Sequence, residues 1–364
     1  MPGNTTSMST IFTGFFVGGI AIFVIITGCL QSPTTTAADA SIQNSLTHNS
    51  SIEITDALNN RIVLENHPHR IITQNGRILP LIISLGGGEE VVGVPENSMS
   101  DTEVMAGLPN AQSVGDWQTM NTEKILSLNP DILIAYTSWK PKNIDQLAAQ
   151  NLTIIYLDCY HVARLPTESR TLGRILGKEE ESDAYAQNIE YYLSLIHNRV
   201  ALLPENRTPP RAYAELYSDY QVMGNGSMGE EELNLLKIDN IAHEVHLNPV
   251  ISREWVVENN PDIIIKIASD SDRDYPDLKR IHDRIAQRDG FSNISAVKND
   301  RIYVINSEAF SGARSIAGAL YLAKVFYPEY FTDIDPIKVF ESYNQTFKPA
   351  IDSQELFYPS LSSP

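Results

Sequence analysis

The chain has 364 residues, 45 of them acidic and 27 basic, for a formal net charge of −18. A hydrophobic content of 42% excludes a largely disordered chain, and the length suggests two domains or lobes. Nucleic acid is excluded as the main partner because phosphate binding needs clustered Lys and Arg, and no cluster occurs. Two cysteines exclude a disulfide framework and a thiolate zinc site.

Residues 1–28 carry no charged side chain, and Ile11–Gly28 is an apolar run that ends at Cys29. A small residue pair before Cys, closing an apolar stretch, resembles a lipoprotein signal with Cys29 as the lipidated first residue of the mature chain. An uncleaved membrane anchor is the alternative, because the run is long enough to span. Either way the remainder is expected outside the cytoplasmic membrane and held to its outer face. Residues 29–50, rich in Ser, Thr, Ala and Asn, read as a flexible tether. Cys159 is then a buried core thiol.

Residues 51–162 read as a first α/β lobe. Ile52–Asp56 and Arg61–Leu64 form a hairpin around Asn59-Asn60, and Arg70–Thr73 is a strand. A helix over 78–85 stops at Gly86-Gly87-Gly88. Strands at 91–94, 132–136 and 153–158 alternate with helices at 122–128 and 144–150, which implies parallel pairing. Residues 163–208 are expected to hold one connecting helix over 166–202, about 30 residues and roughly 45 Å long, with Gly177 as a possible break or kink. Residues 209–345 read as a second lobe. Its strands are 211–216, 262–267 and 301–305, and its helices 230–236, 254–259, 276–287 and 315–326. Residues 346–364 read as a tail.

An internal repeat carries the strongest signal. Asn121-Thr122-Glu123 through Asn129-Pro130-Asp131 to Ile134 matches Ser252-Arg253-Glu254 through Asn260-Pro261-Asp262 to Ile265. Each segment is a cap, a short helix, an Asn-Pro-Asp turn and a buried strand. The fold class is therefore α/β: two Rossmann-like lobes with parallel sheets, joined by one long helix, with a ligand cleft between them. Glu123 and Glu254 occupy equivalent helix starts. Each is favoured there by the helix dipole alone, and each could also meet an Arg of a symmetric partner.

At this point the sequence resembles the substrate-binding proteins of ABC importers for metal chelates, the class that binds cobalamin, ferric siderophores and haem. The resemblance covers residues 52–345. It rests on Arg70-Ile71-Ile72, Leu85-Gly86-Gly87-Gly88 with Val91-Val92-Gly93-Val94, Gly115-Asp116-Trp117-Gln118, both Asn-Pro-Asp turns and Arg301-Ile302-Tyr303. It implies a wide cleft, small closing motions, a monomer, and docking of Glu123 and Glu254 on arginines of a permease that works with its ATPase. It implies that Trp117 faces the cleft, since cobalamin-binding members place a Trp at the similar position. It also places ligand contacts in the loop holding Phe310 and Arg314.

Large metal chelates call for aromatic faces and a few polar anchors. One of Tyr217 and Tyr220, after the first strand of the second lobe, is expected to line the site. Arg314 could pair with a ligand carboxylate or phosphate, or instead serve its own helix. Trp139 and Tyr160-His161 are weaker candidates, and His161 reads first as a polar loop residue. Few cleft arginines besides Arg314 are available, which leans towards a neutral or cationic ligand such as a corrinoid. No resident cofactor, metal site or catalytic residue is expected. The chain has no Gly-x-Ser-x-Gly elbow, His-Glu-x-x-His or Walker loop, and it lacks the cluster cysteines of a nitrogenase-cofactor-like enzyme. The other readings are a surface-anchored receptor and a binder of a small oxyanion such as molybdate.

Overall fold

The computed structural model describes residues 51–269, 277–346 and 356–361; the proposed signal, Cys29 and the tether lie outside them. The elements in chain order are β1 (Ile52–Thr55), β2 (Arg61–Leu64), β3 (Ile71–Thr73), α1 (Leu79–Ser84), β4 (Val91–Val94), α2 (Thr102–Ala106), β5 (Gln112–Ser113), α3 (Thr122–Ser127), β6 (Ile132–Ala135), α4 (Ile144–Ala148) and β7 (Thr153–Tyr156). Two helices follow, α5 (Leu165–Leu176) and α6 (Glu179–Ala201). Then come β8 (Arg211–Glu215), α7 (Met228–Leu235), β9 (Asp239–Asn240), α8 (Arg253–Asn259), β10 (Ile263–Ala268), α9 (Leu278–Ala286), α10 (Ser295–Lys298), β11 (Ile302–Asn306), α11 (Ser307–Phe310), α12 (Ile316–Phe326), α13 (Pro336–Thr346) and β12 (Phe357–Tyr358).

Each lobe is built on one five-stranded sheet. The N-terminal order is β5-β4-β3-β6-β7, all parallel. The C-terminal order is β12-β11-β10-β8-β9, parallel except for β12. The residues read as a tail thus supply an edge strand, with Phe357 opposite Ile305 and Tyr358 opposite Val304. Strands β6 and β10 are buried along their whole length, as parallel strands covered on both faces must be.

The repeat has a structural cause. Asn129 and Asn260 both turn through left-handed backbone, φ 45° and 43°, a conformation Asn tolerates well. The Asp131 carboxylate then accepts from the backbone N–H groups of His69 and Arg70 at 2.7 and 2.9 Å. Asp262 accepts from the N–H of Arg211 at 3.0 Å. The two arginines return the favour: Arg70 donates to the Leu128 carbonyl at 2.7 Å, and Arg211 to that of Asn259 at 2.6 Å, at the ends of α3 and α8. Helix, turn and both central strands of each lobe are clipped together in one way.

The single connecting helix is corrected. Gly177 adopts φ 65° and ends α5 as a left-handed C-cap. The N–H of Lys178 closes the turn on the Gly173 carbonyl at 2.8 Å. Helix α6 then starts afresh and folds back along α5, with Arg170 donating to Asp183 and Glu190. At 23 residues, α6 is about 35 Å long. Its Tyr185, Ala186, Ile189, Ile196 and Val200 are buried, and its hydroxyl at Tyr185 donates to the Ala313 carbonyl of the C-terminal lobe at 2.8 Å.

A side chain at 177 would be strained, and its Cβ would lie 3.1 Å from the His67 ring. Gly177→Ala is expected to lower unfolding stability by about 1 kcal/mol or more, read as a shift of the urea midpoint at constant slope; an unshifted midpoint would show that this turn carries no such constraint.

Candidate functional site

The carboxyl ends of β3, β6 and β7 lie side by side, where backbone groups run out of ladder partners. Buried polar side chains take over. Gln74, just past β3 and fully buried, donates from its amide nitrogen to the carbonyls of Trp117 (2.9 Å) and Trp139 (2.6 Å), and its oxygen accepts from the N–H of Tyr136 at 3.1 Å. Asn75 donates to the carbonyls of Leu157 and Asp158 at 3.0 and 2.7 Å. Asp158, also fully buried, accepts from the N–H and hydroxyl of Thr137 at 2.9 and 2.6 Å.

These anchors present an aromatic wall. Trp117 sits on a tight turn: Gly115 opens it at φ 91°, and the Asp116 carboxylate accepts from the N–H groups of Gln118 and Thr119 at 2.8 and 3.1 Å. The Trp117 ring meets Tyr136 (6.3 Å between centroids) and Trp139 (6.4 Å) edge to face. Tyr136 meets Tyr160 at 5.7 Å, and Tyr160 overlies His161 at 4.2 Å. Edge-to-face contacts suit ring quadrupoles and leave ring faces available. Trp139 is 47% exposed, and Trp117, Tyr136 and Tyr160 are half-buried. Burial raises the phenol pKa of Tyr136 and Tyr160, so both stay neutral.

Two sets of polar contacts join the lobes. Arg77 of the N-terminal lobe meets Glu308 and the Tyr217 hydroxyl of the C-terminal lobe, both at 3.1 Å. Arg314 lies 3.9 Å from the other oxygen of Glu308. In the second set Glu231 of α7 meets His161 at 2.7 Å and Arg164 at 3.2 Å. Burial pushes the Glu231 carboxyl up, but His161 and Arg164 outweigh it and hold the group below its usual value. The next residue, Glu232, has no such partners among the described residues; burial and the charge of Glu231 push its carboxyl well above the usual range.

Tyr217 is held from beneath. Lys266 on β10 donates to the Glu215 carboxylate at 2.8 Å and to the carbonyls of Leu216, Tyr217 and Ser218 at 2.6, 2.9 and 3.1 Å. Arg288 binds both oxygens of Glu215, at 2.7 and 2.9 Å. Burial raises Glu215, but Arg288 and Lys266 reverse the effect and keep its carboxyl below the usual range.

The expected site residues separate. Tyr217 reaches Arg77 of the other lobe, while Trp117 meets Trp139 directly and is linked to Tyr160-His161 through Tyr136. Tyr220 does not: its ring stacks over Arg288 at 4.5 Å and meets Phe291 edge-on at 6.2 Å. It lines a separate groove of about 730 Å³ with Arg253, Arg280, Arg284 and Arg288. Phe310 is corrected: it ends α11 rather than standing in a loop, and is 1% exposed in the hydrophobic core. Arg314 is 2% exposed, behind Glu308 and near the Phe340 ring. Glu123 and Glu254 are exposed in the first turns of α3 and α8, and Glu254 shares its carboxylate with Arg253 at 2.8 Å. Among the described residues no group of three His, Cys, Asp or Glu could hold a metal ion. Sequence reasoning missed Gln74, Arg77, Glu231 and Lys266, none of which stands in a motif. Tyr136 could have been found, as it directly ends a predicted strand.

Known proteins share the sequence pattern or the fold of this chain. Residues 71–309 match the family described as periplasmic binding protein. An ABC transporter substrate-binding lipoprotein of Bacillus subtilis is 26% identical over 78% of this chain and 87% of its own length. A vitamin B12-binding protein of Yersinia pestis is 25% identical over 56% of this chain and 71% of its own. The crystal structure of a TroA-like periplasmic binding protein from Veillonella parvula superposes with a TM-score of 0.72 at 21% identity, covering 85% of this chain and 99% of that one.

The state of Glu232 sets a pH dependence. Its folded pKa lies above the unfolded value, so between those values the folded chain holds a proton that the unfolded chain has released, and stability falls as pH rises. Glu232→Gln is therefore expected to gain about 1 kcal/mol or more at pH 8 and nothing near pH 4, in parallel urea titrations. An equal gain at both values would refute the buried neutral acid.

Proposed function

The chain belongs to the periplasmic binding protein family, and from that premise we propose that it is the extracytoplasmic solute-binding component of an ABC importer, capturing a metal chelate and delivering it to the permease. The observation that carries this reading is the wall of Trp117, Tyr136, Trp139 and Tyr160 at the carboxyl ends of the N-terminal strands, in the lobe whose Arg77 bonds Tyr217 of the other. Ring faces and neutral phenols suit a large, partly apolar chelate. The vitamin B12-binding relative favours a corrinoid as the first ligand to test, with haem and ferric chelates next. Binding makes and breaks no covalent bond. The ligand enters between the lobes, stacks on the wall, and exchanges the Arg77–Tyr217 contact for its own.

Delivery is a docking event. Glu123 and Glu254 are the proposed contacts to two arginines of the permease, one per lobe. At Glu254 the incoming arginine competes with Arg253. Lipidation of Cys29 is the proposed tether to the outer face of the membrane; the Bacillus subtilis relative, a lipoprotein, supports it. The folded part acts as a monomer.

The test of the ligand is intrinsic Trp fluorescence of the full chain, titrated with cobalamin, cobinamide, haem, a ferric chelate and molybdate. Saturable quenching by one chelate is expected, with Trp117→Ala weakening it about tenfold or more. Response to molybdate alone would replace the chelate with a small oxyanion, and silence throughout would favour a non-transport receptor. Docking is tested separately. Glu123→Ala with Glu254→Ala is expected to leave ligand affinity unchanged and to abolish stimulation of the reconstituted transporter's ATPase; unchanged stimulation would remove both residues from the docking surface.

A further inference from the structure

We propose that Gln74 is the positioning residue of the aromatic wall, fixing Trp117, Tyr136 and Trp139 relative to one another from behind. This rests on the reading of that wall as the ligand-contacting surface.

The three aromatic residues come from two separate segments. Trp117 stands on the turn before α3, while Tyr136 and Trp139 follow β6. The N–H of Lys142 reaches the Gln118 carbonyl and the Asn143 amide the Met120 carbonyl, both at 2.8 Å, but neither of these bonds ties the ring-bearing residues themselves. Gln74 does so with one side chain, through carbonyl, carbonyl and N–H at 2.9, 2.6 and 3.1 Å. Each bond is to the backbone of the residue that bears a ring, so a shift of the amide moves the ring's own Cα. The group is fully buried, so water does not replace a lost partner without opening the site. Gln is also the side chain this geometry requires. Two carbonyls need a two-hydrogen donor, one N–H needs an acceptor, and a primary amide offers both at one end. Leu fills the volume without donors. Glu accepts from Tyr136 but, when ionised, turns a carboxylate on two carbonyl oxygens.

The position gives the interaction leverage. Gln74 lies at the end of β3, the central strand, with β4 and β6 on either side, where the strand order reverses and open α/β sheets gather ligand-binding groups.

The test uses Gln74→Leu and Gln74→Glu in the full chain, read first without ligand. Near-ultraviolet circular dichroism reports the mutual orientation of Trp117, Tyr136 and Trp139, and far-ultraviolet dichroism reports the fold. Gln74→Leu is expected to change the near-ultraviolet spectrum while the far-ultraviolet spectrum holds. It should also weaken the chelate that quenches the parent protein about ten- to a hundredfold. Gln74→Glu is expected to be defective at pH 8 and to recover both spectrum and affinity as pH falls to 5, because a protonated carboxyl regains one donor. Loss of folding would relax on protonation too, so the recovery counts only where the far-ultraviolet spectrum and the urea midpoint are the same at both pH values. The inference is overturned if Gln74→Leu keeps the parent near-ultraviolet spectrum, if it keeps the parent affinity for a chelate that Trp117→Ala loses, or if Gln74→Glu shows the same defect at both pH values. If Trp117→Ala itself leaves chelate affinity intact, the wall is not the ligand surface and the reading beneath this one fails instead. If no chelate in the panel quenches the parent, the ligand-free spectra decide the role of Gln74.

Discussion

In each lobe an aspartate decides where the first strand of the five-stranded sheet begins. Asp131 holds the first N–H groups of the β3 segment, and Asp262 holds that of β8. Each carboxylate follows a proline and an asparagine in left-handed backbone, so the turn cannot drift along the neighbouring strand. The register of β3 against β6 and of β8 against β10 follows from this clip: Ile71 faces Ile132, and Ala212 faces Ile263. A one-residue slip would exchange the two faces of a strand buried on both. With the starts of the strands fixed, their carboxyl ends are fixed too, and it is there that Gln74 and Glu215 stand.

The two lobes solve the problem of those ends by different chemistry. The N-terminal lobe uses neutral amides and one carboxylate: Gln74 and Asn75 with Asp158. Neutral groups lose little solvation when buried, provided every donor finds an acceptor. The C-terminal lobe uses charges. Glu215 is fully buried and would be strongly unfavourable alone, but Lys266, Arg288, the Tyr213 hydroxyl at 2.9 Å and the N–H of Tyr220 at 2.9 Å surround it. Such a network holds only when it is complete, since removing one partner leaves a buried charge uncompensated. Completeness is also what makes it rigid, and Lys266 passes that rigidity to the carbonyls of residues 216–218, under Tyr217.

What could be read from the sequence was what local chemistry determines. The Asn-Pro-Asp turns, the glycine stop after α1 and the buried apolar strands all announced themselves, because each depends on residues within a few positions of one another. The turn that bears Trp117 was legible too, since Gly115 and Asp116 shape it alone. Phe310 was misplaced because α11 is a single turn of helix, too short to leave a periodic signal, and its burial comes from packing in the C-terminal core. Tyr217 and Tyr220 were indistinguishable in sequence. Left-handed backbone at Tyr220 (φ 63°) and the guanidinium of Arg288, 68 positions further on, draw it to the other side. Gln74 was invisible for a similar reason: its partners lie 43 to 65 positions away. Gly177 was noticed, but whether it kinks or ends a helix depends on its φ, which sequence does not state.

The charge of the chain and the charge of its lobe junction are different matters. The chain carries −18 overall, yet at the junction positive and negative groups occur together: Arg77 and Arg314 with Glu308, His161 and Arg164 with Glu231. A polyanionic chelate entering here would have to draw those arginines off their carboxylates, and the released carboxylates would then repel it. A small oxyanion meets the same obstacle and gains nothing from ring faces several ångströms across. A broad ligand with little net charge can use the wall while leaving most of the ion pairs in place. The pairing of the arginines, more than the acidity of the chain, therefore sets the electrostatic cost of placing an anion at this junction.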